Sequence, residues 1–276
     1  MSDLSLSLVR GAVTSPFKRA GRPGAALPTG REELPPTRIA PGPLAAYSRI
    51  CGFAETGPLP LTYPHVLGFP LAMRLMTGRD FPLPVLGLVH TWIEITAHRA
   101  PQPTDELGIT VHAAGLTPHR RGTEVTMVTE ARRAGELVWE SRSGYLSRHA
   151  TAATTPPPER AHHRELPAVA EWRLPTDLGR RYGAASGDRN PIHLHPLTAR
   201  LFGFPRHIAH GMWTVARCLA ETGDTTGAQG RVRTVRADFK APVLLPSTVT
   251  YAADDTAFEV RGGSRVHLTG SVTRDV

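Results

Sequence analysis

Two side chains that can transfer protons, Asp188 and His193, lie five residues apart around an Asn-Pro pair. This pair predicts the start of a short helix, with Asn190 as the N-cap and Pro191 at the first helical position. His193 then lies in the first turn, where the partial positive charge of the helix start favours the neutral imidazole and an ionised Asp188. A neutral imidazole beside a carboxylate can activate a water molecule, so we predict an acid–base site here.

A backbone donor is predicted a short distance further along the chain. The segment I-A-H-G-M leads into apolar residues at helical spacing, Met212, Val215, Ala216 and Leu219, so that Gly211 opens a helix. The first amide of a helix has no acceptor inside it, and a glycine lets a ligand approach closely. We therefore expect the Gly211 N–H to polarise a carbonyl oxygen.

These motifs together resemble a known family. The sequence D-x-N-P-I-H, followed by A-x-x-x-G-F and I-A-H-G-M, is similar to the hydratase motif of MaoC-like (R)-specific enoyl-thioester hydratases. The segment Leu59–Met76 resembles the double-hotdog 3-hydroxyacyl-thioester dehydratases of actinobacteria, and the resemblance extends over roughly residues 33–275. It implies an α+β double hotdog, with two repeats that each wrap an antiparallel sheet around a central helix.

The resemblance also implies an activity, the reversible hydration of trans-2-enoyl thioesters to (R)-3-hydroxyacyl thioesters in fatty-acid or lipid metabolism. Asp188 and His193 would activate the water and Gly211 would stabilise the thioester oxygen. No metal, redox cofactor or covalent intermediate is required. The acyl group would be carried by coenzyme A or by acyl carrier protein.

Four further residues are predicted to belong to the substrate site. Asn190 is interpreted as setting its shape, and His210 as orienting the Gly211 amide or touching substrate, with packing as the alternative for His210. Lys240 and Arg206 are candidates for phosphate contacts, with a solvated surface role as the alternative for both.

Two other functions are kept open at this point. A hotdog thioesterase would carry a carboxylate on its long helix, but the helix after Gly211 has none before Glu221. A non-catalytic subunit that binds acyl groups or carriers would be expected to lose Asp188 or His193, and this chain keeps both.

Length and composition fit a globular protein of one large domain or of two domains of about 130 residues. The chain has 276 residues, of which 40% are hydrophobic and 20% charged. The formal net charge is +8 and the pI is about 10.3, but the arginines are scattered and no nucleic-acid-binding module is present. We therefore assign the positive charge to coenzyme A phosphates or an acidic carrier protein, and predict no nucleic-acid partner.

The compartment is predicted from cysteine use and from the hydrophobic runs. Cys51 and Cys218 are the only cysteines, and both lie in apolar surroundings that indicate inert core thiols. No apolar run reaches the eighteen or so residues of a membrane helix, and the N-terminus lacks the pattern of a signal peptide. The prediction is a cytoplasmic protein without a membrane span.

The chain is divided into four predicted parts. Residues 1–32 form a flexible tail, residues 33–148 a degenerate hotdog, residues 149–168 a linker with three consecutive prolines, and residues 169–276 the catalytic hotdog. The two hotdogs are predicted to form an intramolecular pseudo-dimer. Whether two such chains pair further, as a homodimer, is left open.

The first hotdog is expected to be inactive. Tyr47-x4-Gly52-Phe53 matches Tyr182-x4-Gly187-Asp188 in spacing, so that Phe53 stands where the second half has its aspartate. A helix is predicted from Phe69 to Met76, with Pro70 near its start and therefore no amide donor there. We expect His65 to be structural, and the freed space to house a long acyl chain.

Overall fold

A computed structural model describes residues 18, 25–151, 165–223 and 230–275 of the chain. Most of the predicted tail and most of the predicted linker lie outside these residues, so the proposed domain boundaries stay predictions. The strands are β1 Glu32–Arg38, β2 Val89–Ala97, β3 Glu106–His119, β4 Gly122–Arg133, β5 Glu136–Arg148, β6 Ala168–Leu174, β7 Val232–Phe239, β8 Ser247–Ala253, β9 Ala257–Gly262 and β10 Arg265–Arg274. The helices are α1 Pro41–Cys51, α2 Tyr63–Thr77, α3 Leu178–Ser186, α4 Pro191–Leu194, α5 Pro196–Leu201 and α6 Gly211–Glu221.

All ten strands belong to one antiparallel sheet, in the order β1-β3-β4-β5-β2-β7-β10-β9-β8-β6. The order is symmetric about its centre, because each half contributes five strands and the two halves meet where β2 pairs with β7. The register there places Ile93 opposite Ala237 and Ile95 opposite Val235. The two repeats therefore share a continuous sheet, as the pseudo-dimer of a double hotdog requires.

The strands form where apolar residues alternate and turn residues separate them. In β2, the side chains of Ile93, Ile95 and Ala97 are buried, and the residues between them are partly exposed. Between β4 and β5, Ala134 and Gly135 have φ angles of 48° and 84°. Two consecutive positive φ angles give a tight turn whose twist suits a hairpin.

One long apolar helix is held by the sheet in each half. In α6, Trp213, Val215, Ala216 and Leu219 are buried, which confirms the predicted helix after Gly211. Burying each such large apolar side chain stabilises the fold by roughly 1.5–3 kcal/mol.

The predicted start of the first-half helix is wrong. Helix α2 begins at Tyr63, six residues before Phe69, and Pro70 lies inside it rather than near its start. Pro64 occupies the first turn, where its missing N–H costs no helical hydrogen bond, and this lets the helix begin early. Gly78 follows the last residue of α2, as predicted.

Helices α1 and α3 occupy equivalent positions in the two halves and contact each other. Both end at a left-handed glycine, Gly52 at φ 86° and Gly187 at φ 80°. Tyr47 and Tyr182 pack together with ring centroids 6.0 Å apart. Phe53, the residue after Gly52, is buried in the core, so the position equivalent to Asp188 is apolar in the first half.

Two other predictions can be compared with the described residues. Cys51 and Cys218 are both buried and free, as expected of inert core thiols. Within the described part of the chain, no helix combines the length and apolar character that crossing a membrane requires.

Two buried histidines of the first half should make stability depend on pH. His65 bonds to the Ser141 hydroxyl at 3.2 Å, and burial lowers its pKa to about 4 and that of His90 to about 3, from an ordinary value of 6.5. Because the unfolded chain takes up these protons first, stability is full above pH 6.5 and is lost as the pH falls below it. Each group should contribute about 1.4 kcal/mol per pH unit to this loss.

Urea unfolding at pH 7 and pH 5 tests this with His65→Asn, which keeps a polar atom toward Ser141 but cannot titrate. The variant should lose less unfolding free energy between the two pH values than the wild type. Its control is His195→Asn, at an exposed histidine, which should keep the wild-type difference. Equal acid losses in His65→Asn and wild type would contradict the assignment.

Candidate active site

A capped turn positions the two predicted proton-transfer groups. Asp188 follows the glycine that ends α3, and its Oδ1 accepts a hydrogen bond from the Asn190 N–H at 3.1 Å. The Asn190 side chain in turn accepts from the Ile192 N–H at 3.3 Å, with Pro191 at the first helical position. This confirms the predicted cap and places His193 in the four-residue helix α4.

The hydrogen bond of His193 determines its tautomer. The ring is buried and its Nδ1 lies 2.8 Å from the carbonyl oxygen of Ile208. Since a carbonyl can only accept, Nδ1 carries the proton and, in the neutral ring, Nε2 carries the free lone pair. His193 can therefore accept a proton at Nε2.

A short extended segment supplies that carbonyl and leads directly into α6. The Ala209 N–H bonds to the Val243 carbonyl at 2.9 Å, and the Leu245 N–H bonds to the His207 carbonyl at 2.9 Å. The Ile208 N–H also bonds to the Ile192 carbonyl at 3.1 Å. Residues 207–209 are thus held between residues 243–245 and helix α4, which fixes the start of α6 relative to His193.

His210 packs against both Asp188 and His193. Its ring stacks on that of His193, with centroids 3.7 Å apart and planes inclined by 27°, and on Tyr182 at 4.7 Å. Its Nε2 donates to the backbone carbonyl of Asp188 at 3.0 Å. His210 is 2% exposed and therefore holds the other groups in place, so the direct substrate contact predicted for it stays a prediction.

Gly211 brings a backbone amide to the same place. The first hydrogen bond of α6 runs from the Thr214 N–H to the His210 carbonyl at 3.1 Å, so the Gly211 amide has no acceptor within the helix. A Cβ at Gly211 would lie 2.7 Å from Cε1 of Phe239. A larger residue would require the Phe239 ring or the start of α6 to shift.

Burial brings the pKa values of Asp188 and His193 closer together. It is the main cause that raises the pKa of Asp188 above 3.8, opposed by His193 and the Asn190 amide. It is also the main cause that lowers the pKa of His193 below 6.5, opposed by Asp188 and the Ile208 carbonyl. The pKa of His210 is lowered well below its usual value by burial and then by His193. At neutral pH both rings are therefore neutral.

The two predicted phosphate contacts, Arg206 and Lys240, bond to other groups than the Asp188–His193 pair. Arg206 is exposed and donates to the Pro246 carbonyl at 3.2 Å. Lys240 directly follows Phe239, and its ammonium group lies 4.0 Å from an Asp238 carboxylate oxygen. Among the described residues, no hydrogen bond or ion pair joins either side chain to Asp188 or His193, so their phosphate role stays a prediction.

A metal could be considered at this cluster. Asp188, His193 and His210 place one potential ligand atom each within 4.8 Å of one another. Each ring, however, has already committed one nitrogen to a backbone carbonyl, and the two rings are stacked. Ligands of one ion converge on it, whereas the in-plane lone pairs of stacked rings run side by side. The arrangement suits proton transfer better than coordination.

Sequence reasoning missed the groups that arrive from other parts of the chain. The Ile208 carbonyl, the Phe239 ring and the Tyr182 ring all position the catalytic residues. Backbone carbonyls carry no sequence signal, and a contact between β7 and the start of α6 depends on the register of the sheet. Of these groups only Tyr182 belongs to a motif named from the sequence, and it is a core residue.

Comparison with known proteins agrees with this geometry. A family model described as MaoC like domain matches residues 156–275, which include the whole Asp188–Gly211 cluster. The chain is also 38% identical over 252 residues to 3-hydroxyacyl-thioester dehydratase X of Mycobacterium tuberculosis, covering 87% of each chain. The chain belongs to the MaoC-like dehydratase family.

Solved structures of this family confirm the predicted fold. A crystal structure of HtdX from M. tuberculosis matches with a TM-score of 0.76 and 34% identity, covering 90% of this chain and all of that one. A MaoC-like dehydratase from Phytophthora capsici matches with a TM-score of 0.71 at 17% identity, over 91% of this chain and 97% of that one. The latter likeness shows the fold alone. This chain is thus a double hotdog over most of its length.

The structure also bears on the thioesterase alternative. Glu221 is at the far end of α6 from Gly211, where it pairs with Arg217 and accepts from the Trp172 indole at 3.2 Å. Ser186 donates to the Tyr182 carbonyl at 2.9 Å and accepts from the Asp188 N–H at 3.2 Å. Neither group is poised as the carboxylate or nucleophile of a hydrolase.

Substituting Gly211 should disable the site through Phe239. In Gly211→Ala the new methyl group meets the aromatic ring, so either the ring or the start of α6 must move. We expect kcat for enoyl-thioester hydration to fall about 10-fold or more, since small misplacements of a catalytic group cost that much.

The double variant Gly211→Ala/Phe239→Ala removes the obstacle and should recover activity toward that of Phe239→Ala alone. Steady-state kinetics of the four proteins measures the coupling. Strict additivity of the two substitutions would contradict the proposed contact.

Proposed function

We propose that this protein catalyses the reversible hydration of trans-2-enoyl thioesters to (R)-3-hydroxyacyl thioesters. The proposal rests on one arrangement: Nε2 of the buried His193 carries a lone pair beside the Asp188 carboxylate, and the neighbouring Gly211 amide has no acceptor within α6. The relative HtdX is named a 3-hydroxyacyl-thioester dehydratase, and this name supports the same substrate class.

The chemistry follows from these three groups. The thioester oxygen accepts a hydrogen bond from the Gly211 N–H, which stabilises the enolate charge that develops there. Nε2 of His193 takes a proton from a water molecule held by the Asp188 carboxylate, and the water oxygen bonds to the β-carbon. One of the pair then returns a proton to the α-carbon on the same face, so that the net change is addition of H and OH. Dehydration reverses each step.

The carrier of the acyl group is proposed to be coenzyme A or acyl carrier protein. Both present phosphate, and the chain has a net charge of +8. Lys240 is the stronger candidate for a phosphate contact, since it follows directly after the Phe239 ring that lies against Gly211. Arg206 is exposed near Pro246 and is the second candidate.

The first half is proposed to house the acyl chain. In the first half, the buried Phe53 lies at the position equivalent to Asp188. The first half therefore has no charged side chain at this position that would need solvation. A long-chain enoyl thioester should accordingly be turned over with a lower KM than crotonyl-CoA.

Replacing either proton-transfer group should abolish hydration. With crotonyl-CoA and a long-chain enoyl-CoA, Asp188→Asn and His193→Ala should each lower kcat/KM by at least about 100-fold, the usual contribution of a general acid or base. Loss of the enoyl absorbance measures the rate. Asp188→Asn keeps the shape of the side chain, so its effect reports the charge.

The matched control is His195→Asn, two residues from His193 but exposed and used as the cap of α5, a role that asparagine also fills. It should retain wild-type activity. Dehydration of (R)- but not (S)-3-hydroxybutyryl-CoA tests the stereochemistry. Release of free coenzyme A thiol instead of hydration would identify a thioesterase, and wild-type rates in Asp188→Asn and His193→Ala would refute the mechanism.

A further inference from the structure

Helix α5, which follows the catalytic turn, exposes its large apolar side chains and buries its smallest one. Leu197 and Leu201 are 62% and 83% exposed, whereas Ala199 is fully buried. The two leucines are four residues apart and therefore share one face of the helix. A surface helix normally turns such residues toward the core, so the orientation of α5 is reversed. Phe202, the residue after the helix, is also exposed, at 37%.

Leu197, Leu201 and Phe202 form a cluster, which we call the α5 patch. In the described part of the chain, the exposed large hydrophobic residues are these three together with Leu86 and Val169. Single exposed apolar residues are ordinary on a protein surface. Three of them on one short helix and its end indicate a surface that another molecule covers.

The same part of the chain is strongly basic. Residues 178–210 contain five arginines and one carboxylate, which is the catalytic Asp188. Three of these arginines donate to backbone carbonyls, at distances of 3.2–3.3 Å, and therefore keep their full positive charge. All five are exposed, and none forms an ion pair with a carboxylate of the described residues; they are Arg180, Arg181, Arg189, Arg200 and Arg206.

Hydrogen bonds hold the α5 patch against the helix that carries His193. The Thr198 hydroxyl donates to the Pro191 carbonyl at 2.6 Å, which joins α5 to the first residue of α4. Arg180 donates to the carbonyl of Leu194, the last residue of α4, at 3.3 Å. A partner seated on the patch is therefore held beside the element that positions the catalytic base.

We propose that the α5 patch and the arginines around it dock an acidic acyl carrier protein, which delivers the enoyl thioester to Asp188 and His193. The inference rests on the proposed function and decides between the two carriers considered there. Carboxylates of the carrier pair with the arginines and speed the encounter, while its apolar side chains cover Leu197 and Leu201. The flexible pantetheine arm of the carrier then reaches the active site from the neighbouring surface.

Two other occupants fit the patch less well. Coenzyme A has phosphates for the arginines, but it has no protein side chains to cover two exposed leucines. A second copy of this chain would bring the same arginines into an isologous contact, where like charges repel. An acidic protein matches both the charge and the apolar face.

The test compares crotonyl-CoA with the crotonyl thioester of an acidic bacterial acyl carrier protein, crotonyl-ACP. Arg200→Glu and Leu201→Ser should each raise KM for crotonyl-ACP about 5- to 50-fold, with kcat changed less than about 2-fold, because they weaken docking and leave the chemistry intact. Leu201→Ser should keep the wild-type KM for crotonyl-CoA, which has no side chain to contact the leucine.

Matched controls carry the same substitutions outside the patch. Val169→Ser removes an apolar side chain that is 58% exposed on β6, and Arg120→Glu reverses an exposed charge in the turn between β3 and β4. Both should keep the wild-type KM for crotonyl-ACP and for crotonyl-CoA. Analytical ultracentrifugation of wild type and Leu201→Ser should give the same oligomeric state.

Four results would overturn the inference while leaving the proposed function intact. They are a wild-type KM for crotonyl-ACP in both patch variants, an equal loss with crotonyl-CoA in Leu201→Ser, a wild type that hydrates crotonyl-CoA but not crotonyl-ACP, and an oligomer that dissociates in Leu201→Ser. The last result would assign the patch to a second copy of this chain. If the wild type hydrates neither thioester, the proposed function fails and the inference fails with it.

Discussion

The backbone of a single residue, Ile208, ties the catalytic cluster together. Its carbonyl accepts the Nδ1 proton of His193, and its N–H bonds to the Ile192 carbonyl. One peptide segment therefore orients the imidazole, anchors helix α4 and leads three residues later into α6. Because the carbonyl can only accept, the tautomer with the free Nε2 follows from the fold rather than from the local sequence around His193.

The hydrogen bonds of the Ile208 backbone lie where water has little access. His193 and His210 are almost fully buried, and burial keeps both rings neutral at the pH where a base is needed. Asp188 keeps 25% of its side chain exposed and has an amide donor from Asn190, so it can remain a carboxylate despite the burial that raises its pKa. A neutral imidazole beside a carboxyl group that keeps an amide donor is a suitable pair for the addition and removal of water.

The sequence predicted the local parts of this design well. Asn190 and Pro191 have backbone roles that depend only on neighbours in the chain, and the structure has them where the motif predicted. The predicted start of α2 is wrong, because the helix already begins at Tyr63 with Pro64 in its first turn.

Contacts between distant segments could not be predicted in this way. The Phe239 ring against Gly211 and the Tyr145–His90 stack depend on the register of β2 against β5 and of β7 against β2. A shift of one residue in either pairing would turn these rings to the other face of the sheet. The same applies to the Ile208 carbonyl, which any residue type could supply. The catalytic pair was thus predictable, but its supports were not.

The central claim is that His193 is a neutral base with its proton on Nδ1. Nitrogen-15 NMR of the imidazole groups measures this directly, with the His193 signals assigned by comparison with His193→Ala. We expect the Nδ1–H tautomer at pH 7 and a titration midpoint below 6.5, the ordinary value for histidine. A spectrum that shows the Nε2–H tautomer, or an imidazolium at pH 7, would contradict the account.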